Sequence, residues 1–311
     1  MAACILCGND FPVAEENSYN NCGNCGSYIY LCDSLSSELN RNFYDNVYDS
    51  DRAYRIDKVK KNIFYFFKSI DKYRRKHDYD EFDAKHRTVL NLLHDRTKKI
   101  LEVGFGTGDN LISLLESGSD AYGIDISRAN VDRFIEKHPK YSDRVECSTR
   151  PGRQMDVVYT SALFEHLDDP SGFLDDVNSI LSAGGFVILD NIPVVSGEPS
   201  NISTRSDISF WDGIHKAIYT RKALVDFFCS RGYGLSSYGD FDYFIYRVLS
   251  SHKYYGHLMI ENIRHPYMSG EKLPKIPEYV KVCNRALTMN SLAKLGFAVF
   301  RKSVAPVDSH L

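Results

Sequence analysis

The run Ile100-Leu101-Glu102-Val103-Gly104-Phe105-Gly106-Thr107-Gly108 constrains this chain more than any other stretch. Its aliphatic start predicts a buried strand, and the apolar spacing beyond it predicts a helix over Asn110 to Glu116. Between them, glycines at alternate positions remove the Cβ atoms that would hold a ligand away from the backbone, and they permit dihedral angles closed to other residues. Strand, glycine turn and helix in that order open a βαβ unit.

The chain beyond this point keeps the same alternation. Strands are predicted at Ala121–Asp125, Arg144–Cys147, Asp156–Thr160 and Phe186–Leu189, with two more near Leu235–Tyr238 and Phe297–Phe300. Helices fall at Ala129–Lys137, ending before Pro139, at Gly172–Leu181, ending at Gly184 and Gly185, and at Lys222–Arg231, ending at Gly232. Short β-branched runs alternating with helical ones predict an α/β fold with a doubly wound, mostly parallel, seven-stranded sheet. A Tyr- and His-rich insertion over about 241–291 precedes the last strand.

Two ligand classes suit a glycine turn of this kind. A dinucleotide fingerprint is GxGxxG with the pyrophosphate on the helix N-terminus. Counted from Gly104, the third glycine here lies at +4, and +5 is Asp109, a carboxylate that would repel a pyrophosphate. Glu102 precedes the loop as well. Both acids suit a ligand carrying an ammonium and a sulfonium better than one carrying two phosphates. Asp125, 21 residues after Gly104, ends the second strand, where a carboxylate accepts hydrogen bonds from ribose hydroxyls in either class.

These residues resemble the class I methyltransferases that use S-adenosylmethionine. The ExGxGxG motif of that family lies in Glu102, Gly104, Gly106 and Gly108, its ribose acid in Asp125 with Ile126 beside the adenine, and its fourth-strand segment in Asp156 to Asp169. The resemblance covers roughly residues 85 to 240 and implies a Rossmann-like sheet. It also implies S-adenosylmethionine as cofactor, with Phe105, Asn110 and Ser161 completing the binding set. One departure stands out. About seven residues separate the third and fourth strands, too few for the helix usual there, and no acidic residue matches the family's adenine contact.

The cysteines form a second constellation. Cys4-Ile5-Leu6-Cys7-Gly8 and Cys22-Gly23-Asn24-Cys25-Gly26 are two CxxCG knuckles fourteen residues apart. Such pairs point two thiolates each at one ion, which predicts tetrahedral zinc on Cys4, Cys7, Cys22 and Cys25. An iron–sulfur cluster or a redox pair is the lesser alternative. Residues 1–33 have too few aliphatic side chains to fold without a staple, so the metal is expected to supply folding energy. Cys32, Cys147, Cys229 and Cys283 read as packing residues. A CxxC…CxxC knob ahead of this domain also partially resembles the bacterial sugar C-methyltransferases acting on nucleotide-linked deoxysugars, although their two-histidine segment is reduced here to Gly213-Ile214-His215-Lys216.

Methyl transfer requires alignment of a nucleophile and removal of its proton. His215 and His166 lie beyond strand ends and are the candidate bases, with Trp211 and Tyr219 as a candidate stacking wall and His252, His257 and His265 as a candidate lid. From Asp51 to Lys76, Ile56, Val59, Ile63, Phe66, Ile70 and Tyr73 mark one face of a helix whose other faces are strongly basic. The expected organisation is a zinc-binding segment at 1–33, a basic helical cap at 34–84 and the catalytic domain at 85–311.

The formal charge of −3 gives no global field toward nucleic acid or membrane. No apolar run approaches the roughly 20 residues that span a bilayer, and no signal pattern opens the chain, so a cytoplasmic protein is expected. The first functional reading is a methyltransferase acting on a small molecule, with cap cations available for a phosphate- or nucleotide-linked acceptor. The second is an RNA methyltransferase gripping its polymer with knob and cap. The third is a zinc-ribbon adaptor without activity.

Overall fold

The computed structural model describes residues 1–13, 18–31, 79–149, 152–195, 215–242 and 293–304. The basic cap over 51–76, Trp211, the insertion histidines, Cys32 and Cys283 lie outside these residues. The strands are β1 (Ala2–Ala3), β2 (Asp10–Phe11), β3 (Ser18–Asn21), β4 (Tyr28–Leu31), β5 (Lys99–Val103), β6 (Asp120–Asp125), β7 (Val145–Cys147), β8 (Met155–Ser161), β9 (Leu181–Val195), β10 (Ala217–Thr220), β11 (Tyr233–Asp242) and β12 (Ala293–Lys302). The helices are α1 (Tyr79–Leu93), α2 (Asp109–Glu116), α3 (Arg128–Lys137), α4 (Pro170–Ile180) and α5 (Arg221–Cys229).

The seven predicted strands lie side by side in the order β7-β6-β5-β8-β9-β12-β11. The first five run parallel, while β12 is antiparallel to both β9 and β11. The chain starts at β5, winds outward through β6 and β7, then crosses back to β8 on the other side of β5. That reversal opens a crevice at the carboxyl ends of β5 and β8, where doubly wound sheets bind ligands. As expected from the short gap, the described residues between β7 and β8 contain no helix.

Buried side chains alternate strictly across the sheet. Ile100, Val157, Tyr159, Ile188, Phe297 and Val299 pack with Val89 and Leu93 of α1, Leu111 and Leu114 of α2, and Val131 and Phe134 of α3. Leu101, Val158, Val187, Leu189, Ala298 and Phe300 pack on the opposite face with Leu174 and Val177 of α4 and Phe227 and Phe228 of α5. Period-two alternation in strands buried on both faces is what a helix-covered sheet demands. Start signals agree with the sequence: Ser127, Asp169 and Thr220 cap α3, α4 and α5 by accepting backbone N–H groups with their side chains.

Three strands extend the expected sheet to ten. Residues 217–220, read from sequence as part of a loop before α5, form β10, which pairs parallel with β9 at Tyr219↔Val194 and Thr220↔Val195. β4 pairs antiparallel with β10, and β3 with β4. The N-terminal segment is therefore continuous with the main sheet, and Cys4, Leu6, Phe11, Cys22, Cys25 and Ile29 share the hydrophobic core of Tyr219 and Phe228. The other boundary expected, between residues 84 and 85, falls inside α1. The third strand begins at Val145, because Arg144 still belongs to a 3-10 turn opened by Pro139.

Candidate active site

The turn after β5 is held in left-handed backbone throughout its glycines, with φ of 70° at Gly104, 55° at Gly106 and 76° at Gly108. Surroundings divide them. A Cβ at Gly108 would lie 2.4 Å from the ring of buried Phe134, and one at Gly104 would lie 3.0 Å from Leu163 in the loop after β8. A Cβ at Gly106 would meet nothing within 4 Å among the described residues. The outer glycines thus serve packing, and the middle one leaves backbone facing open space.

Two carboxylates frame this turn. Asp125 is buried at the end of β6, where its Oδ2 accepts the Gly106 N–H at 2.9 Å and its Oδ1 accepts the Ser127 N–H at 2.8 Å. Ile126, beside it, is 43% exposed, an apolar surface at the expected adenine position. Glu102 is 2% exposed; Asn110 Nδ2 donates to its Oε1 at 3.3 Å, while Oε2 has no hydrogen-bond partner among the described residues. Burial first, then the charges of Asp125 and Asp109, push the Glu102 carboxyl up to about 8. A buried acid with an unmet oxygen beside an open cradle is complementary to a cationic ligand group.

Across the crevice a polar group that sequence reading did not identify fills the same face of the sheet as Glu102. Asp190 in β9 accepts the Tyr159 hydroxyl at 3.1 Å through Oδ2, and its Oδ1 lies 3.1 Å from Nε2 of His86 in α1. Asn191 follows with φ 55° and donates through Nδ2 to Ser161 Oγ at 2.7 Å, and Ala162 after β8 has φ 51°. Two non-glycine residues in left-handed backbone, one just after β8 and one inside the adjacent β9, are unusual, and such strain concentrates at functional sites.

Both candidate bases also meet. The His166 and His215 rings pack edge to face with centroids 4.7 Å apart, and each Nε2 lies 3.9 Å from Glu165 Oε1. Glu165 is 1% exposed, and its Oε2 has no hydrogen-bond partner among the described residues. Burial pushes Glu165 up to about 8; burial and neighbouring His166 push His215 well below the usual histidine range. The separations fit an ion pair, but both shifts favour uncharged forms. At 3.9 Å there is no hydrogen bond to offset desolvation, so the neutral pair governs near pH 7.

The four expected cysteines converge beside the β3–β4 edge of the sheet, next to β10. Cys4 and Cys25 sulfurs are 3.7 Å apart, Cys7 and Cys22 sulfurs 3.6 Å, and all four lie within 4.8 Å of one another. Tetrahedral zinc with Zn–S of about 2.3 Å sets S···S edges of about 3.8 Å, so the donor set fits such an ion. Each knuckle closes alike: Gly8 N donates to Cys4 O, Gly26 N to Cys22 O, and both glycines have φ above 70°. That positive φ is why glycine follows each CxxC. Cys147 and Cys229 lie outside this cluster.

Comparison with known proteins finds methyltransferases. A ubiquinone biosynthesis O-methyltransferase of Psychrobacter cryohalolentis is 30% identical over 107 residues, spanning 30% of this chain and 41% of that protein. Its counterpart from Acinetobacter baylyi is 28% identical over 104 residues, or 44% of its length. This chain therefore matches about two fifths of those relatives. A crystal structure from Galdieria sulphuraria, assigned to the sarcosine dimethylglycine methyltransferases, aligns with a TM-score of 0.50 at 18% identity over 73% of this chain and 86% of that one, a likeness of fold. The family model described as a methyltransferase domain matches residues 73–235, more than half of the chain, and the protein belongs to that family.

Proposed function

We propose that the chain is an S-adenosylmethionine-dependent methyltransferase acting on a small-molecule acceptor. The observation that carries this reading is the buried Glu102 carboxyl with its unmet oxygen behind the open face of Gly106. When bound, S-adenosylmethionine supplies an electrophilic methyl group on a sulfonium sulfur. Asp125 would accept from the ribose hydroxyls, Ile126 would cover the adenine, and Glu102 with Asn110 would face the cationic end. Phe105 and Ser161 would complete the walls.

The chain's own chemistry is proton removal. His215, kept uncharged by burial, presents a lone pair near neutrality, and His166 lies beside it to share the charge that arrives. The charge that arrives on the histidines lies 3.9 Å from Glu165 Oε1, a carboxyl group placed to be polarised by it.

Within this reading we favour a nucleotide-linked sugar as acceptor, supported by the metal-binding knob ahead of the domain and by His215-Lys216 on its sheet edge. The test is incubation of the full chain with methyl-labelled cofactor, nucleotide-linked deoxysugars, simple phenols and RNA. Label in a sugar nucleotide supports the proposal. Label in phenols alone rejects the sugar assignment, and label in RNA alone, with affinity falling steeply in salt, rejects the small-molecule reading.

A further inference from the structure

The knuckle segment is tied to the His215–Thr220 segment by strand pairing and by side-chain hydrogen bonds. β4 and β10 pair at Ala217↔Ile29 and Ile218↔Tyr28, and Tyr30 N donates to Lys216 O at 2.8 Å. Thr220 Oγ1 donates to the carbonyl of the ligand residue Cys25 at 2.8 Å, and Thr220 N donates to Ser27 Oγ at 3.4 Å. Tyr19, in β3, reaches across β4 and donates its hydroxyl to the His215 carbonyl at 2.9 Å. On the other side Lys216 N donates to Glu165 O at 2.7 Å, and Tyr219 Oη donates to Phe164 O at 2.8 Å. His215 is thus held between the loop after β8, which carries Glu165 and His166, and a hairpin that the second knuckle closes.

We propose that the metal knuckle is a positioning element for the candidate base, with Tyr19 as the positioning residue that transmits the hairpin's place to His215. A staple whose sole task is folding needs no bond to the site. Here the hairpin starts at Tyr19, turns through Cys22 and Cys25, and returns as the strand that pairs with β10, so the metal fixes both ends of the His215 segment at once. The hydrogen bonds that shape the glycine turn run elsewhere: Gly104 N donates to Ile124 O, Gly106 N to Asp125 Oδ2 and Ser127 N to Asp125 Oδ1. Metal occupancy should therefore govern the place of the base and leave the nucleoside cradle alone. This rests on the reading of His215 as base for its effect on turnover, but the positional claim is measured separately.

The test uses full-length protein with ring-labelled histidines, assigned by the loss of one signal in His215→Asn and of another in His166→Asn. In Tyr19→Phe, zinc content and affinity for S-adenosylhomocysteine should match wild type, the His215 and His166 ring signals should move, and kcat should fall about two- to tenfold, the range one hydrogen bond carries, with cofactor KM unchanged. Zinc removal by chelation should move the same signals further and raise amide exchange in β3, β4 and β10. Ring signals of Tyr19→Phe that superimpose on wild type would overturn the proposal. Signals that move while kcat holds would uphold the positioning and remove His215 as the base. If chelation unfolds the whole chain, Tyr19→Phe, which keeps its metal, still decides.

Discussion

The Asp125 carboxylate accepts the Gly106 N–H at 2.9 Å, so the acid at the end of β6 is bonded directly to the open glycine of the turn after β5. Asp125→Ala therefore removes an anchor of the cradle together with the expected ribose acceptor. We predict a loss of about 1 to 3 kcal/mol in S-adenosylmethionine binding, from charge-assisted hydrogen bonds, read by calorimetry. Unchanged affinity would place the ribose elsewhere.

The glycines of the turn should separate binding from stability. Gly108→Ala forces a methyl to 2.4 Å from the Phe134 ring at φ 76°. Left-handed strain of about 1 to 2 kcal/mol adds to an overpacking cost of about 1 to 3, lowering the urea midpoint strongly. Gly106→Ala carries the strain alone, because nothing among the described residues lies within 4 Å of its Cβ, yet it fills the cradle. It should stay within about 2 kcal/mol of wild-type stability and lose most of its cofactor affinity. Equal destabilisation of the two variants would contradict this division.

Glu102 sets a pH dependence with a defined sign. Its carboxyl is raised to about 8 and is therefore protonated near pH 7; a cationic ligand favours the carboxylate, so binding should release a proton. Affinity should rise from pH 6 to pH 8 and level off above. Calorimetry in buffers of different ionisation enthalpy counts that proton, and Glu102→Gln should abolish it.

The same acids act on the ligand-free fold. Glu102 and Glu165 both have folded-state values near 8, above their ordinary range. The stability they contribute is complete below about pH 4.5 and is lost as pH rises through 8. Ligand-free protein should unfold at lower urea at pH 9 than at pH 6, with the loss reduced in Glu165→Gln. A urea midpoint flat over this range would show that these carboxyls ionise normally.

His215→Ala should lower turnover and leave cofactor affinity within twofold, since the glycine turn does not touch it. Equal turnover would reject His215 as the base.

What sequence revealed and what it hid follow the range of the interactions. Buried parallel strands such as Ile100–Val103 and Asp156–Thr160 announce themselves because both faces are apolar, and the glycine turn because Gly104, Gly106 and Gly108 occupy backbone that other side chains strain. The CxxCG knuckles show for the same local reason. β10 was invisible: four residues with His215 and Lys216 before them carry no period of their own, and their strand character comes from β9 and β4. α1 was missed because its polar sequence offers only a narrow apolar stripe around Val89 and Leu93. His86 meets Asp190, and Glu165 meets the two histidines, only through tertiary packing, although an acid directly beyond the strand expected at Phe186–Leu189, as Asp190 is, offers a usable signal.

The most direct test of the account is a crystal structure of the full chain with S-adenosylhomocysteine. The nucleoside should lie over Gly106, with its ribose on Asp125 and its amino group toward Glu102. Clear density for the ligand at any other place, or a turn left empty at saturating ligand, would contradict it.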